Sequence, residues 1–432
     1  LNTDIDITKT TLLKVGVAGF LSKRNSPGLG DGDVWGELFG YNPIKTPVMY
    51  SNGYIPAIGS GNKTNPWVAA TQTGFNENWT NNIETNISLE QNFDFITKGL
   101  KFVGRFGYDS NNQNTIRRLK WPEQWLAERA RDPETGELRW KKISGSQNMK
   151  QESSSSGNRR EFLDMMLNWD RSFGAHHPSA TIKYTQDSYI QTQNLGEDLK
   201  TGINKRNQDL AGRVAYNWNY RYFIDFNFGY NGSENFAPGK RFGFFPSIAG
   251  GWVISNEPFW KGIKDKVNLF KVRASYGLVG NDVISSNYKD RFPYLSTVAM
   301  DQWYDVMIGT NFDQKRGPIL SIYGNENATW EESRKLDIGV EIGLFDSLNI
   351  IFDWFKEKRS GIFMQRASLP SSFGMSNITP WANIGKVDNR GVDISVDYNK
   401  AFSKDLILSL RGSFTYAHNE VVEMDEPAYK WD

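Results

Sequence analysis

The sequence predicts an all-β protein, and more narrowly a transmembrane antiparallel β-barrel with long extracellular loops. Three observations predict this fold. Apolar and polar residues alternate with a period of two, short and long connections alternate along the chain, and aromatic residues make up 14% of the sequence although the mean hydropathy is −0.56. A barrel joins an aromatic-girdled apolar band to a polar interior and wet loops, so a hydrophilic average agrees with membrane insertion.

The alternation is clearest in the second half of the chain. One side of a predicted strand carries Tyr222, Ile224, Phe226, Phe228 and Tyr230, and the same split recurs over 270–278 and 335–344 without a Lys or Arg on the apolar side. Because Lys or Arg on the lipid face costs roughly 2–4 kcal/mol at the bilayer midplane, this exclusion is typical of a barrel wall. The exceptions, apolar residues on the nominally polar side, are Phe223, Ile351, Phe355 and Ile407.

The pattern gives about fourteen strands. They start near Leu1, Thr11, Trp79, Gly99, Glu161, Pro178, Arg206, Arg221, Phe244, Asn268, Ser333, Ser347, Asn389 and Asp405. Tight turns are predicted at Lys9-Thr10 and Asp346-Ser347, and long loops over 23–78, 109–160 and 359–388. The long loop after 109 is predicted to be partly helical from Pro122 to Ala130, with a loop tip at Ser153 to Ser156.

Short connections lie on the periplasmic side of outer-membrane barrels. The alternation then places both ends of the chain outside the cell. Since a barrel is inserted from the periplasm, we expect further strands beyond Leu1 and Asp432.

Composition and motifs argue against several functions. Lys and Arg number 50 and Asp and Glu 49, with no basic block, so a nucleic-acid partner is not expected. The absence of Cys agrees with export, and neither a nucleophile elbow nor a His-Glu-x-x-His motif occurs, so we expect no enzymatic activity. Adjacent Glu331 and Glu332 point to opposite faces of a strand, which does not suit glycoside hydrolysis.

No metal or cofactor is predicted. The histidines are His176, His177 and His418, and adjacent His residues in extended chain do not easily grip one ion. Asp31 and Asp33 lie in a Gly-Asp-Gly-Asp segment that can offer carboxylates to calcium, but the other ligand positions of an EF-hand are missing and a simple turn is preferred. Residues 59–64 resemble a phosphate loop only superficially, because Asn62 separates the glycine from the lysine.

Two groups of residues are candidates for substrate contact. The loop aromatics can stack on sugar faces or fill a protein interface, or else pack the loops together or form the membrane girdle: Trp121, Trp125, Trp303, Tyr304 and Trp381. The polar residues expected to face the lumen can contact a substrate, or else pair across strands or with a plug: Lys271, Arg273, Asp337, Glu341, Asp393 and Arg411.

Four segments resemble conserved barrel stretches of the SusC/RagA family of TonB-dependent transporters. They are Phe245-Pro246-Ser247 with Gly251-Trp252, Ser255, Glu257 and Phe259; Phe270 to Gly277 with Gly280-Asn281, where the family usually has Leu at the first position; Trp330-Glu331, Ser333, Asp337-Ile338-Gly339 and Gly343-Leu344-Phe345; and Asn383 to Val387 with Asn389 to Val392. Among these residues, Gly391 suits a turn.

The resemblance implies a plugged barrel of the 22-stranded class in the bacterial outer membrane, crossing the lipid many times. It also implies import of a glycan or peptide, coupling to the TonB complex, and a SusD-like surface lipoprotein as a lid. The plug, the TonB-binding box and the closing strands have no counterpart here, so residues 1–432 are expected to be a partial barrel domain. The rival interpretations are a self-contained diffusion channel of about fourteen strands, and an adhesion or structural barrel.

Overall fold

The computed structural model describes residues 1–58, 64–196, 199–283, 291–308, 310, 313–374 and 378–426. Within these ranges the strands are β1 (Asn2–Thr8), β2 (Thr11–Pro27), β3 (Ile55–Pro56), β4 (Gly74–Asn92), β5 (Leu100–Leu119), β6 (Gln124–Arg131), β7 (Leu138–Ser144), β8 (Lys150–Asp170), β9 (His176–Gln193), β10 (Lys205–Trp218), β11 (Tyr222–Ser233), β12 (Phe242–Val253), β13 (Val267–Asn281), β14 (Thr297–Ile308), β15 (Asp313–Ile322), β16 (Glu331–Leu344), β17 (Leu348–Gln365), β18 (Trp381–Ala401) and β19 (Ile407–Glu423). The α-helices are α1 (Asp31–Gly40) and α2 (Pro66–Thr71), and short 3-10 helices cover Leu199–Gly202, Ile254–Asn256, Pro258–Ile263 and Ser371–Phe373.

A fourteen-stranded antiparallel sheet dominates the molecule. Its order is β1-β2-β4-β5-β8-β9-β10-β11-β12-β13-β16-β17-β18-β19, so each member pairs with the next member along the chain. The prediction of about fourteen strands in an antiparallel wall is confirmed. Two smaller sheets, β14-β15 and β3-β6-β7, lie in the connections.

The long strands start earlier than predicted. The starts near Trp79, Glu161 and Asn389 are wrong, because β4, β8 and β18 begin at Gly74, Lys150 and Trp381. In β8 the residues from Lys150 to Arg160 are polar or glycine on both faces, so alternation gives no signal there although the backbone pairs with β5. The predicted loop tip from Ser153 to Ser156 is therefore inside β8, paired with residues 113–116 of β5.

The two faces of the sheet differ as the alternation predicts. Apolar side chains on the outer face are exposed; the exposed fraction is 51% for Ile224 and 41% for Ile338. The other face is concave and polar, and its residues on β1, β2, β4, β5 and β8 line a cavity of about 830 Å³. The register carries this polar face from Lys14 on β2 to Arg273 on β13, and we call it the lumen face.

Glycines make room for the apolar residues that break the alternation. Phe355 lies on the lumen face of β17, and a Cβ atom on Gly391 of β18 would lie 2.6 Å from Phe355 Cζ. Gly391 therefore does not form a turn, as the sequence suggested, but sits inside a strand where a ring covers its Cα.

The predicted tight turns are confirmed. Lys9 and Thr10 join β1 to β2, and Phe345 to Ser347 join β16 to β17. Phe345 and Asp346 have φ angles of 54° and 51°, in the left-handed region that short hairpin turns require.

The helical prediction for Pro122 to Ala130 is wrong. This segment contains β6, which pairs antiparallel with β7 and parallel with β3, so inter-segment pairing overrides the local helical pattern. The α-helices lie instead in the loop between β2 and β4. There α2 starts at Pro66, and the Asn65 side chain accepts a hydrogen bond of 2.8 Å from the Val68 amide.

Among the described residues, no helix has both the length and the apolar character needed to cross a membrane.

Candidate functional site

A network of charged side chains crosses the lumen face of β13, β16 and β17. Lys271 and Glu341 are direct partners in the β13–β16 register, and Lys271 Nζ lies 2.9 Å from Glu341 Oε1. Arg273, two residues further along β13, also contacts Glu341 Oε1 through Nε at 3.2 Å. The alternation that predicted three lumen-facing residues on these strands thus brings them into contact.

Arg273 lies at the centre of this network. Its Nη1 atom is 3.2 Å from Asp337 Oδ1, and its Nη2 donates to both oxygens of Asp353, at 2.7 and 2.8 Å. The planar guanidinium therefore joins carboxylates from two neighbouring strands, a geometry that a Lys ammonium does not reproduce.

Gly339 provides the space for this arrangement. It lies opposite Arg273 on one side and Asp353 on the other. A Cβ atom at this position would lie 2.2 Å from Asp353 Oδ1 and 2.8 Å from Arg273 Cζ. Position 339 therefore requires glycine for a steric reason, because any larger residue would displace the Arg273–Asp353 ion pair.

Sequence reasoning missed Asp353. Its neighbours on the same face, Ile351 and Phe355, are apolar. The sequence of β17 therefore does not show a polar face on which Asp353 would have stood out. The predicted Asp393 is the register partner of Asp353 on β18. Acidic groups therefore outnumber the two cations of the network, Lys271 and Arg273, which leaves this part of the wall with excess negative charge.

Arg411 lies outside the network. It is on β19, forms an ion pair with its register partner Asp397, and its side chain is 82% exposed. The interpretation that lumen charges pair across strands holds for Arg411 as it does for Lys271 and Arg273.

Trp125 belongs to an aromatic cluster between two long loops. Its ring stacks on Tyr54, with centroids 4.5 Å apart and planes at 12°. Trp140 of β7 meets Tyr50 at 4.8 Å and Tyr54 edge-on at 5.5 Å. The faces of these rings hold the β2–β4 loop against the β5–β8 loop. Of the roles considered for the loop aromatics, Trp125 therefore has that of packing the loops together.

The other predicted aromatics are dispersed. Trp121 lies just after β5, and its carbonyl accepts a hydrogen bond of 2.8 Å from the Ser146 amide. Trp381 at the start of β18 stacks on Phe363 at 5.7 Å and remains 44% exposed. Trp303 and Tyr304 belong to β14, but their side chains lie outside the described part of the structure.

The weaker candidate sites show no built centre. Asp31 and Asp33 occupy the first turn of α1, where Asp31 pairs with Arg24. His176 meets the Tyr216 hydroxyl at 2.7 Å through Nδ1. In the described ranges no group of three or more His, Cys, Asp or Glu side chains could hold a metal ion. Residues 59–63, in the segment that superficially resembles a phosphate loop, lie outside those ranges.

Adjacent Glu331 and Glu332 have different partners. Glu331 pairs with Arg359 of β17 at 3.4 Å, and Glu332 with Arg334 of its own strand at 3.9 Å. They do not form an acid and base pair across a shared space.

Glu257 holds the connection between β12 and β13 in place. This connection lies at the edge of the sheet where the hairpin turns are short. It accepts a hydrogen bond of 3.1 Å from Trp252 Nε1 and lies 3.4 Å from Arg221 Nη1. The Tyr222 hydroxyl, the Trp252 indole and the Arg221 charge hold the pKa of Glu257 below its ordinary value. A carboxylate within one of the four resembling segments thus has a structural role.

Comparison with known proteins assigns the family. A family model described as "TonB dependent receptor-like, beta-barrel" matches residues 21–430. TonB-dependent receptor P3 of Formosa agariphila is 26% identical over 459 residues, which cover 98% of this chain and 42% of that protein. TonB-dependent receptor SusC of Bacteroides thetaiotaomicron is 27% identical over 244 residues, covering 55% of this chain and 23% of that protein.

The fold agrees with solved structures. The RagAB peptide transporter structure matches with a TM-score of 0.70 at 16% identity, covering 98% of this chain and 46% of that chain. The crystal structure of the outer membrane transporter YddB from Escherichia coli matches with a TM-score of 0.51 at 10% identity, over 97% and 47%. The chain thus spans less than half the length of these relatives. The predicted resemblance is confirmed: this chain is an outer-membrane β-barrel chain that belongs to the TonB-dependent receptor-like β-barrel family.

Proposed function

We propose that this chain forms the wall and extracellular loops of a TonB-dependent importer of large nutrients, a glycan or a peptide. The observation that carries the proposal is the continuous fourteen-stranded sheet with an apolar outer face and a charged lumen face. Such a wall separates lipid from an aqueous path. The match to a TonB-dependent receptor family supports import that is driven through TonB. The solved relative is a peptide transporter by its title, and SusC is a curated relative, so both substrate classes remain in the proposal.

The proposed assembly has three further parts. A plug with its TonB-binding segment and the closing strands of a 22-stranded barrel would come from sequence beyond residues 1–432. The first and last strands of the sheet support this, because β1 pairs with β2 alone and β19 with β18 alone in the described part of the chain. An open edge leaves backbone groups unpaired in lipid, which membranes do not tolerate.

A SusD-like surface lipoprotein is the proposed lid. It would rest on the long connections, among them the loop between β2 and β4 that holds α1 and α2, and the loop between β5 and β8 that holds β6 and β7. The exposed apolar residues of α1, Trp35 and Phe39, support an interaction role for the first of these loops. We propose that the chain itself is not an enzyme and needs no cofactor, because the family that it matches is a receptor barrel.

Deletion of TonB in the native host tests the function. We expect growth on the transported nutrient as sole carbon source to stop, and to return when TonB is supplied on a plasmid. Uptake of the labelled nutrient should fall in parallel. Normal growth without TonB would contradict the proposal. Ion conductance of the purified protein without TonB would then favour the diffusion channel, and loss of attachment on removal of residues 28–73 would favour the adhesin.

A further inference from the structure

Nine uncharged polar side chains form a regular array on the lumen face of three adjacent strands. We call this array the amide grid. Each of β4, β5 and β8 contributes three residues, and the register pairs them in rows: Asn82, Asn111 and Asn158; Thr80, Gln113 and Ser156; Asn78, Thr115 and Ser154.

Charged rows enclose the grid above and below. The row beneath it is Glu84, Asp109 and Arg160, which borders the cavity of about 830 Å³ on the same face. The row above contains Arg117 and Glu152. Since charged side chains occupy this face on both sides, the uncharged composition of three successive rows is a local property of the grid.

The grid lies toward the edge of the sheet that carries the long loops. Hairpin turns at Lys9-Thr10 and after Asn92 mark the opposite edge of the sheet. β4 ends at Asn92, and the nearest grid residue on this strand, Asn82, lies ten residues before that end. At this height polar residues enter the outer face as well: Asn81, Asn112 and Asn114 lie there beside Trp79 and Leu21. A ligand that enters from the loop side therefore passes the row of Arg117 and Glu152, then meets the grid, and reaches the row of Glu84, Asp109 and Arg160 last.

The grid residues have unused hydrogen-bonding capacity. One side-chain hydrogen bond links two described members, Ser156 Oγ to Gln113 Oε1 at 3.5 Å, and Asn82 donates outside the grid to Glu84 at 2.8 Å. An amide or hydroxyl side chain both donates and accepts hydrogen bonds, as does each hydroxyl group of a sugar.

An aromatic ring completes this surface. Phe20 of β2 is the register partner of Asn82 and lies on the lumen face with 56% of its surface exposed. Such a ring offers an apolar face to the C–H side of a sugar ring. The nine grid residues carry no charge to compensate the desolvation of a uronate, a sulfate or the ionised side chains of a mixed peptide. The arginines that border the grid already have partners: Arg24 pairs with Asp31, Arg117 donates to the Gly28 carbonyl, and Arg160 pairs with Asp187.

We propose that the amide grid with Phe20 is a binding surface for a neutral oligosaccharide. The inference rests on the proposed import function and narrows its substrate class from glycan or peptide to an uncharged glycan. The row of Glu84, Asp109 and Arg160 then marks the lower end of the contact, because the uncharged surface stops there.

Binding of defined probes to the purified transporter in detergent tests the proposal. The probes are maltohexaose, cellohexaose, xylohexaose and mannohexaose, an alginate hexasaccharide as the acidic glycan, and a tryptic peptide digest. The test variant is Asn82→Ala/Asn111→Ala/Gln113→Ala. The matched control, Asn81→Ala/Asn112→Ala/Asn114→Ala, removes the same kind of side chains from the opposite face of the same strands.

We expect at least one neutral hexasaccharide to bind, with its Kd raised about tenfold or more in the test variant, which loses several hydrogen bonds, and unchanged in the control. Unfolding of both variants at the wild-type temperature shows that neither result comes from misfolding. Binding confined to the acidic glycan or the peptides, or binding of no probe, overturns the substrate class. Equal affinity in test and control variants overturns the location. TonB-dependent uptake, measured separately, distinguishes these failures from a failure of the importer function.

Discussion

Replacement of Gly339 by Ala is the sharpest test of the lumen charge network. The change adds one methyl group, whose carbon would lie 2.2 Å from Asp353 Oδ1 and 2.8 Å from Arg273 Cζ. Non-bonded heavy atoms rest at about 3.5 Å. The carboxylate and the guanidinium must therefore separate by roughly 1 Å, which breaks the two hydrogen bonds of 2.7 and 2.8 Å between them.

The expected loss follows from the exposure of the pair. A hydrogen bond to a charged group contributes about 1.5–3 kcal/mol. The Arg273 side chain is 35% exposed and that of Asp353 18%, so water compensates part of the lost contact. Arg273 also keeps its contacts with Asp337 and Glu341. We expect the free energy of unfolding to fall by about 1–2 kcal/mol.

Denaturant unfolding in detergent, followed by tryptophan fluorescence, measures this loss. The matched control is Gly250→Ala, also inside a central strand, because a Cβ atom there meets only Phe223 O at 3.8 Å. We expect the control to stay within about 0.5 kcal/mol of wild type. In the double variant with Asp353→Ala the cost of the added methyl should shrink, since its main obstacle is gone. Equal stability of the Gly339 and Gly250 variants would refute the steric argument.

Three further predictions concern other parts of the wall. Gly391→Ala places a methyl carbon 2.2 Å from the Tyr416 carbonyl oxygen of β19 and 2.6 Å from Phe355 Cζ, and overpacking of this kind should cost about 1–3 kcal/mol in the same unfolding assay, whereas wild-type stability would show that both the ring and the β19 backbone move aside freely. Trp125→Ala removes the ring stacked on Tyr54, so trypsin should cut the β6–β7 hairpin faster than in wild type, and an unchanged rate would mean that the stack does not hold the loops. The pKa of Asp94 in the β4–β5 turn is held below 3.8 because its carboxylate accepts hydrogen bonds, so this contribution to stability is complete at neutral pH and is lost as the pH falls below 3.8. Hydrogen exchange of the turn amides should show that loss in wild type and not in Asp94→Ala, and equal pH dependence in both would contradict it.

The strands of the sheet were predictable because one face of each contacts lipid. Lipid contact requires apolar residues at every second position, as from Tyr222 to Tyr230. This alternation predicted all fourteen strands of the sheet. The pattern ends where the lipid ends. The extension of β8 is polar or glycine on both faces, and those of β4 and β18 mix apolar and polar residues irregularly, so none of them gave a period-two signal although their backbones pair.

The candidate site was predictable only in part, for a related reason. Lys271, Arg273, Asp337 and Glu341 alternate with apolar residues and were found. Asp353 was missed because apolar residues flank it on the lumen face, and the glycines that accommodate them are visible only once neighbouring strands are aligned. The segment from Pro122 to Ala130 was predicted to be helical because its strand, β6, depends on pairing with β7 and with β3, a strand about seventy residues earlier.

Strand length gives the mouth of the barrel an asymmetric shape. A transmembrane strand needs about 9–11 residues tilted near 45°. β4, β5 and β8 have 19, 20 and 21 residues, whereas β11 and β12 have 12 each. At about 3.4 Å per residue, ten extra tilted residues raise the wall by roughly 20 Å on the first side, while the second side ends near the lipid surface. The amide grid lies on the raised part, so a long neutral chain bound there would contact this wall along its length before it reaches the row of Glu84, Asp109 and Arg160.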